Sequence, residues 1–213
     1  MIVTVPRDLS EILEMIGEKK RVYIVGCAGC ATLCKTGGEE QTRELEARLS
    51  ERGKEVSGRV VLDVPCDERV ARLELNKPEV LASDVLVVMA CGAGVQGVRN
   101  CVDLPALPVL NSVFLGTVER IGIYKEYCSI CGECIIETMD SLCPITRCAK
   151  GMVNGPCGGM VDGKCEVDPE MDCVWDTIYR ILKEKGELEK LKQYQAPKNH
   201  GKKYEILRSF RKR

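Results

Sequence analysis

The chain has 213 residues, of which 45% are hydrophobic, 30% are charged and only 4% are aromatic. This length and composition allow a buried core and argue against a disordered chain, and an apolar mass of Val, Leu, Ile and Ala suits a parallel sheet covered by helices. The formal net charge of −1 argues against a protein that binds nucleic acid, whose phosphate contacts need a net basic face.

The first region, residues 1–115, alternates predicted helices and strands. Ser10 is expected to cap a short helix that ends at Gly17, and residues 21–25 form the first strand. The later elements follow in chain order: a helix over 39–52, a strand over 59–64, a helix over 67–75, a strand over 84–90, a helix over 92–100 and a short strand over 108–110. This alternation predicts an α/β fold with a small, doubly wound parallel sheet of the flavodoxin or Rossmann type.

Three cysteines follow three successive predicted strands. Cys27, Cys66 and Cys91 each lie just beyond a strand end, and ligands in such sheets bind beyond the carboxyl ends of the strands. If the four strands are ordered 2-1-3-4, as in flavodoxin, we expect the three thiols to converge on one rim.

The second region, residues 116–173, is rich in Cys, Gly and Pro, and we expect it to be irregular. It has too little apolar content to fold by burial alone, so bound metal would supply the missing stability. The third region, 174–213, is predicted to contain a helix from Asp172 to about Gln193 and a basic tail without an evident core. The helix is expected to dock on the body through an apolar stripe of Trp175, Ile178, Tyr179 and Leu182. This tail is expected to contact a partner, with disorder as the alternative.

Of the 14 cysteines, 13 are predicted to be candidate metal ligands and Cys101 is not. No apolar stretch reaches the roughly 20 residues that span a bilayer, and the N-terminus lacks a signal-peptide pattern, so a cytoplasmic protein without a membrane span is expected. Disulfides rarely persist in that compartment. Because His200 is the only histidine, His-rich zinc sites and histidine catalysis are not expected, and no catalytic residue is predicted.

Cys27, Cys30 and Cys34 have the spacing C-x2-C-x3-C on the loop after the first strand. Three thiolates on one short loop can face a single metal centre, with a fourth ligand from elsewhere. Cys66 and Cys91 are both placed for that role, and Cys91 is favoured because glycines follow it. Four thiolates suit zinc as well as iron–sulfur, so both remain open. Cys101 is interpreted as an ordinary buried helix residue.

A second group of eight cysteines opens with C-S-I-C-G-E-C, the C-x2-C-x2-C pattern of bacterial ferredoxins. Eight thiols predict two four-iron clusters, with one cluster plus one structural zinc as the rival. The simplest partition assigns four cysteines to each site, although the assignment crosses in two-cluster ferredoxins. The two sets are Cys128, Cys131, Cys134 and Cys143, and Cys148, Cys157, Cys165 and Cys173.

Gly92, Gly94 and Gly97 spell G-x-G-x-x-G between a strand and a helix, as in dinucleotide-binding sites. The motif is weak evidence for nucleotide binding, because it follows the third strand rather than the first and no acidic residue ends the next strand. The close backbone turn beside Cys91 is an alternative reason for these glycines.

Three stretches make a family resemblance specific: CPITRCAKGMVNGPCGGMVDGKCEVDPEMDCVW over residues 143–175, CAGCATLCKTGGEEQ over 27–41 and ACGAGVQ over 90–96. With them the chain resembles the cysteine-rich iron–sulfur small subunit of bacterial methylenetetrahydrofolate reductase, over nearly its whole length.

The resemblance implies an electron-transfer subunit with two or three [4Fe-4S] clusters, one site being alternatively zinc. It would be the non-catalytic redox subunit of an oxidoreductase. Its implied partner is a separate flavin-bearing, folate-binding reductase subunit, with ferredoxin or another redox protein as upstream donor. The competing interpretations are a zinc-stabilised structural or assembly subunit of the same complex, and an N-terminal domain that binds nucleotide or flavin.

Overall fold

A computed structural model describes residues 1–199 and 201–211 of the chain, so His200 and the last two residues of the basic tail lie outside the described part. The chain divides into two compact units, Met1–Lys125 and Glu126–Arg213. The strands are β1 (Ile2–Pro6), β2 (Arg21–Cys27), β3 (Glu55–Leu62), β4 (Val85–Met89), β5 (Ala106–Pro108), β6 (Leu110–Arg120) and β7 (Ile123–Cys128).

The first unit contains a four-stranded parallel sheet in the order β3-β2-β4-β5. This is the predicted α/β arrangement, and its strand order matches the predicted 2-1-3-4. All five residues of β4 are buried, and β2 is buried except at Arg21. Both strands therefore carry nearly unbroken apolar sequence, as expected of strands in the middle of a parallel sheet.

A second sheet, antiparallel and ordered β1-β6-β7, was not expected from the sequence. Val3 pairs with Phe114 and Val5 with Asn111, so the pairing joins positions more than a hundred residues apart. The expectation that regular structure is lost from residue 116 is corrected, because β6 continues to Arg120 and β7 follows it. Most residues of these two strands are partly or fully exposed, which leaves only a weak hydrophobic pattern in the sequence.

The helices of the first unit surround a core built on β2 and β4. They are α1 (Leu9–Ile16), α2 (Cys30–Leu33), α3 (Glu39–Glu51), α4 (Glu68–Leu75), α5 (Pro78–Leu81) and α6 (Gly92–Cys101). The cap prediction for α1 is wrong: Asp8 occupies the N-cap position and Ser10 lies within the first turn. Asp67 does cap α4, because its carboxylate accepts a hydrogen bond from the N–H of Arg69 at 3.0 Å.

The second unit has little regular structure and a small core. Its α-helices are α7 (Pro144–Arg147), α8 (Val174–Glu184) and α9 (Gly201–Arg211), with 3-10 turns at Ile136–Thr138 and Leu188–Lys192. Helix α8 buries Val174, Trp175, Ile178 and Leu182 against Met139. The predicted stripe is thus confirmed except at Tyr179, which is 45% exposed. The predicted end near Gln193 is wrong, because α8 ends at Glu184 and Gly186 turns the chain with φ 71°. The tail, which was expected to have no evident core and to contact a partner, contains α9. No helix in the described residues has the length and apolar character that crossing a membrane requires.

Candidate metal centres

The carboxyl end of β2 places the first cysteine. Cys27 is the last residue of that strand and is 9% exposed. Burial raises the pKa of its thiol, the backbone N–H groups of Ala31 and Gly29 oppose this rise by hydrogen bonding, and the thiols of Cys30 and Cys91 add to it. Gly26 of β2 pairs with Met89 of β4 in parallel register, so Cys27 and Cys91 follow neighbouring strand ends at the same edge of the sheet, and Cys30 begins α2 three residues after Cys27.

The other two cysteines predicted for this site have different surroundings. The thiol of Cys34 is buried and donates to the carbonyl oxygen of Ile2 in β1 at 3.9 Å. Cys66 lies four residues beyond the end of β3 and is exposed. Cys91 follows the end of β4 by only two residues, and the choice between Cys91 and Cys66 as fourth ligand stays a prediction.

The ferredoxin-like loop folds around its sulfur atoms through left-handed backbone. Ile130 has φ 52° and Gly132 has φ 82°, which turn the chain between cysteines. The N–H of Ile130 donates to Sγ of Cys128 at 3.4 Å. Partial burial acts to raise the pKa of Cys131, but hydrogen bonding to the backbone of Glu133 and the ammonium of Lys198 outweigh it, and the pKa is lowered.

The tail packs on this loop. A Cβ added to Gly132 would lie 3.5 Å from Cα of Lys203, and Lys202 forms an ion pair with Glu133. The Nζ atom of Lys198 is buried, and its positive charge acts on the sulfur of Cys131. A lysine was not predicted at this site, because nothing in the local pattern links it to cysteines more than sixty residues earlier.

The four cysteines predicted to hold the first cluster of the second unit differ in exposure and in their contacts. Cys128 and Cys134 are exposed, whereas Cys131 and Cys143 are partly buried. Cys143 is the N-cap of α7, and its Sγ lies 3.7 Å from the hydroxyl of Thr146. Their assignment to one cluster stays a prediction.

The second set is brought together around one small cavity. Its four cysteines all line that cavity, namely Cys148, Cys157, Cys165 and Cys173. Backbone hydrogen bonds hold two of them in place. The N–H of Cys165 donates to the carbonyl of Met171 at 2.9 Å, and the N–H of Cys173 donates to the carbonyl of Gly163 at 2.8 Å. Cys148 ends α7 and Cys173 begins α8.

A lysine also lies beside this cavity. Hydrogen bonding to the N–H of Gly159 lowers the pKa of Cys157, and the charge of Lys150 lowers it further. Lys150 in turn forms an ion pair with Glu166. The spacing Cys148-x-Lys150 could have indicated this lysine, whereas Glu166 and Cys157 meet it only through the fold.

The donor chemistry of the second unit fits thiolate-bound metal. Four cysteines surround one cavity, backbone N–H groups face several sulfur atoms, and a lysine stands near each predicted set. Among the described residues, no three Cys, His, Asp or Glu side chains are already arranged as ligands of one ion. Cys101 is the last residue of α6, as its interpretation as a helix residue requires, but it is only partly buried, and its thiol donates to the carbonyl of Glu68 at 3.4 Å.

The glycines of the predicted nucleotide motif have packing roles in the structure. A Cβ at Gly97 would lie 2.5 Å from the carbonyl oxygen of Pro65, and one at Gly94 would lie 2.8 Å from Cβ of Ala90. A Cβ at Gly92 would meet nothing within 4 Å. Close packing of α6 thus accounts for two of the three glycines, and nucleotide binding at Gly92, Gly94 and Gly97 stays a prediction.

Comparison with protein families recognises a segment that includes most of the second unit and the end of the first. Residues 107–201 match the family described as Methylene-tetrahydrofolate reductase C terminal. The match includes all eight cysteines of the second group and relates this part of the chain to an oxidoreductase of one-carbon metabolism. It does not extend to the stretches 27–41 and 90–96, which also carried the resemblance. Searches of curated proteins and of solved structures found no match.

Proposed function

We propose that this chain is the iron–sulfur electron-transfer subunit of a methylenetetrahydrofolate reductase complex, relaying electrons to or from the flavin of a folate-binding partner subunit. The observation that carries the proposal is the cavity lined by Cys148, Cys157, Cys165 and Cys173, which lies within the segment that matches the reductase family. Four thiolates are the usual ligand set of a [4Fe-4S] cluster, and the two carboxylates that also line the cavity, Glu166 and Asp172, are already paired with Lys150 and Lys164.

Three groups of cysteines would hold metal. The cavity set would hold one cluster, and Cys128, Cys131, Cys134 and Cys143 would hold another. Cys27, Cys30 and Cys34, with Cys91 ahead of Cys66 as fourth ligand, would hold a third cluster or a zinc ion. A four-iron cluster at any of these positions would carry one electron at a time, with a potential that depends on hydrogen bonds and nearby charge.

The chain's own polar groups would favour thiolate over thiol. Backbone N–H groups at Gly29, Ile130 and Gly159 face cysteine sulfur atoms, and each such hydrogen bond stabilises negative charge on sulfur. Lys150 and Lys198 add positive charge beside Cys157 and Cys131. A cluster gains negative charge when it is reduced. The N–H groups and lysines would stabilise that added charge together with the charge of the thiolates.

The proposed division of labour leaves the folate chemistry to the partner. A flavin takes up two electrons before it gives a hydride, while each cluster supplies one, so several clusters in this chain would act as a store as well as a path. A ferredoxin or another redox protein would exchange electrons upstream. The basic tail, which packs on the ferredoxin-like loop through Lys202 and Lys203, is the segment that we propose contacts the partner.

Metal and sulfide analysis of the chain, purified without oxygen and with its partner, tests this proposal. We expect about eight to twelve iron atoms and as many inorganic sulfides per chain, from two or three four-iron clusters, together with electron paramagnetic resonance of the reduced form. A colourless protein with zinc and no sulfide would support the zinc-stabilised structural subunit instead. Stoichiometric nucleotide or flavin on this chain would support a cofactor site in the first unit.

A further inference from the structure

A pocket of about 140 Å³ in the first unit has no part in the proposed electron path. It is lined by Met89, the last residue of β4, and by Lys35 and Thr36, which follow β2 and α2. The strand order of the parallel sheet reverses between β2 and β4. In open α/β sheets this reversal is where the crevice for a ligand forms, so the pocket lies where the topology favours binding.

Three positively charged side chains line the pocket, and the carboxylates near them form only long ion pairs with them. Arg7 is 3.9 Å from Glu11, and Arg48 is 3.8 Å from Glu44, so both ion pairs are longer than a hydrogen bond. Lys35 forms no ion pair with any described residue. An anion in the pocket would therefore meet positive charge that the protein itself leaves largely available.

Two local irregularities occur at the same pocket. The Nε atom of Arg7 is buried without a hydrogen-bond partner, although leaving a buried charged donor unpaired destabilises the fold. Lys35 adopts φ 54°, which is uncommon for residues other than glycine, and it ends α2 in a Schellman turn in which its N–H donates to the carbonyl of Thr32 at 2.9 Å. A bound acceptor would satisfy the orphan Arg7 donor.

Apart from Thr36, Gln41 and the carboxylate of Glu44, which pairs with Arg48, the rest of the lining is apolar. Ile12, Leu45, Met89, Val109 and Leu110 are buried side chains that line the pocket. The cavity is smaller than the roughly 300 Å³ at which pockets for drug-sized ligands begin. Its occupant would thus be small, with one charged end and a short apolar body.

We propose that this pocket binds a small organic anion, a carboxylate or a phosphate on a short alkyl group, with the charged end held by Arg7, Lys35 and Arg48. Arginine matches the planar geometry of both anions through paired N–H donors. The apolar side chains would cover the alkyl part. The inference goes beyond electron transfer and does not depend on bound iron.

Titration calorimetry on the full-length chain, purified without oxygen, tests it with three probes of equal chain length. Butanoate and butyl phosphate carry the charge, whereas butanamide has a similar shape without it. Saturable binding of at least one anion, with no heat from butanamide, would support the site, and the tighter of the two anions would identify carboxylate or phosphate as its ligand. Binding of butanamide as strong as that of the anions, or of none of the three, would overturn it.

Two arginines on α3 provide a matched pair of variants. Arg48 lines the pocket and pairs with Glu44, while Arg43 pairs with Glu39 at 3.5 Å and is not part of the lining. We expect Arg48→Gln to weaken anion binding about tenfold, which corresponds to losing one charge-assisted contact, and Arg43→Gln to leave it unchanged. Equal weakening by both variants would mean general surface electrostatics and no site. Circular dichroism would check that both variants fold as the parent does.

Discussion

The indole N–H of Trp175 donates a hydrogen bond to the carbonyl oxygen of Met152 at 3.1 Å. This bond ties α8, which begins after Cys173, to the loop between Cys148 and Cys157. Trp175 is also almost fully buried in the small core of the second unit. One side chain thus connects the hydrophobic core to the backbone that carries the four-cysteine cavity.

Trp175→Phe should lower the free energy of unfolding by about 1 to 3 kcal/mol, because the Met152 carbonyl loses its partner and the smaller ring leaves space in the core. Tyr179→Phe on the same helix, where the side chain is half exposed, should change it by less than about 0.5 kcal/mol. Urea unfolding of the metal-loaded protein measures both. Equal effects of the two variants would show that the indole hydrogen bond has no special role.

Cys131→Ala should remove one cluster, because it deletes a ligand of the ferredoxin-like loop. Electron transfer from the donor to the partner's flavin should then be lost, while reduction of artificial dyes by the partner continues. Cys101→Ala is the control, since that thiol bonds to a helix carbonyl and should not affect iron. Full iron content in the Cys131 variant would contradict the assignment of this cysteine as a ligand.

Lys198→Met should make the potential of one cluster more negative, because a buried positive charge near Cys131 stabilises the added electron. Lys203→Met is the control, as its Cα and Cβ pack against Gly132 without a charge contact to the loop cysteines among the described residues. A redox titration followed by electron paramagnetic resonance measures the shift. Identical potentials in the two variants, at unchanged iron content, would refute a role for the Lys198 charge.

Removal of metal by a chelator should unfold the second unit and spare the first. The buried core of the second unit consists of five residues around α8, whereas that of the first is several times larger. Hydrogen exchange should therefore become fast in Val174–Glu184 and stay slow in Val85–Met89. Slow exchange in α8 after all iron, zinc and sulfide have been removed would show that this unit folds without metal.

Gly97→Ala should destabilise the first unit by about 1 to 3 kcal/mol, because the new methyl group would lie 2.5 Å from the Pro65 carbonyl. Gly92→Ala meets open space and should have little effect on thermal unfolding. This pair separates packing from ligand binding at the G-x-G-x-x-G motif. Loss of a bound nucleotide in the Gly92 variant, at unchanged stability, would support the nucleotide interpretation instead.

The parallel sheet could be predicted from the sequence because its signals are local. Strand β4 is an almost unbroken apolar segment, and helices such as α3 lie between the strands at regular intervals. Alternation of this kind leaves few arrangements, and the order β3-β2-β4-β5 is among them. Metal chemistry is likewise indicated by a local signal, the close spacing of the cysteines along the chain.

Only the tertiary structure decided which distant residues meet. Pairing of β1 with β6 joins Ile2 to Leu115, and no local pattern in half-exposed strands reveals such a partner. The same holds for Lys198 beside Cys131 and for Arg7 beside Lys35. Sequence spacing specifies which residues can share a turn or a strand face, while contacts across long stretches of chain depend on the packing of the whole fold.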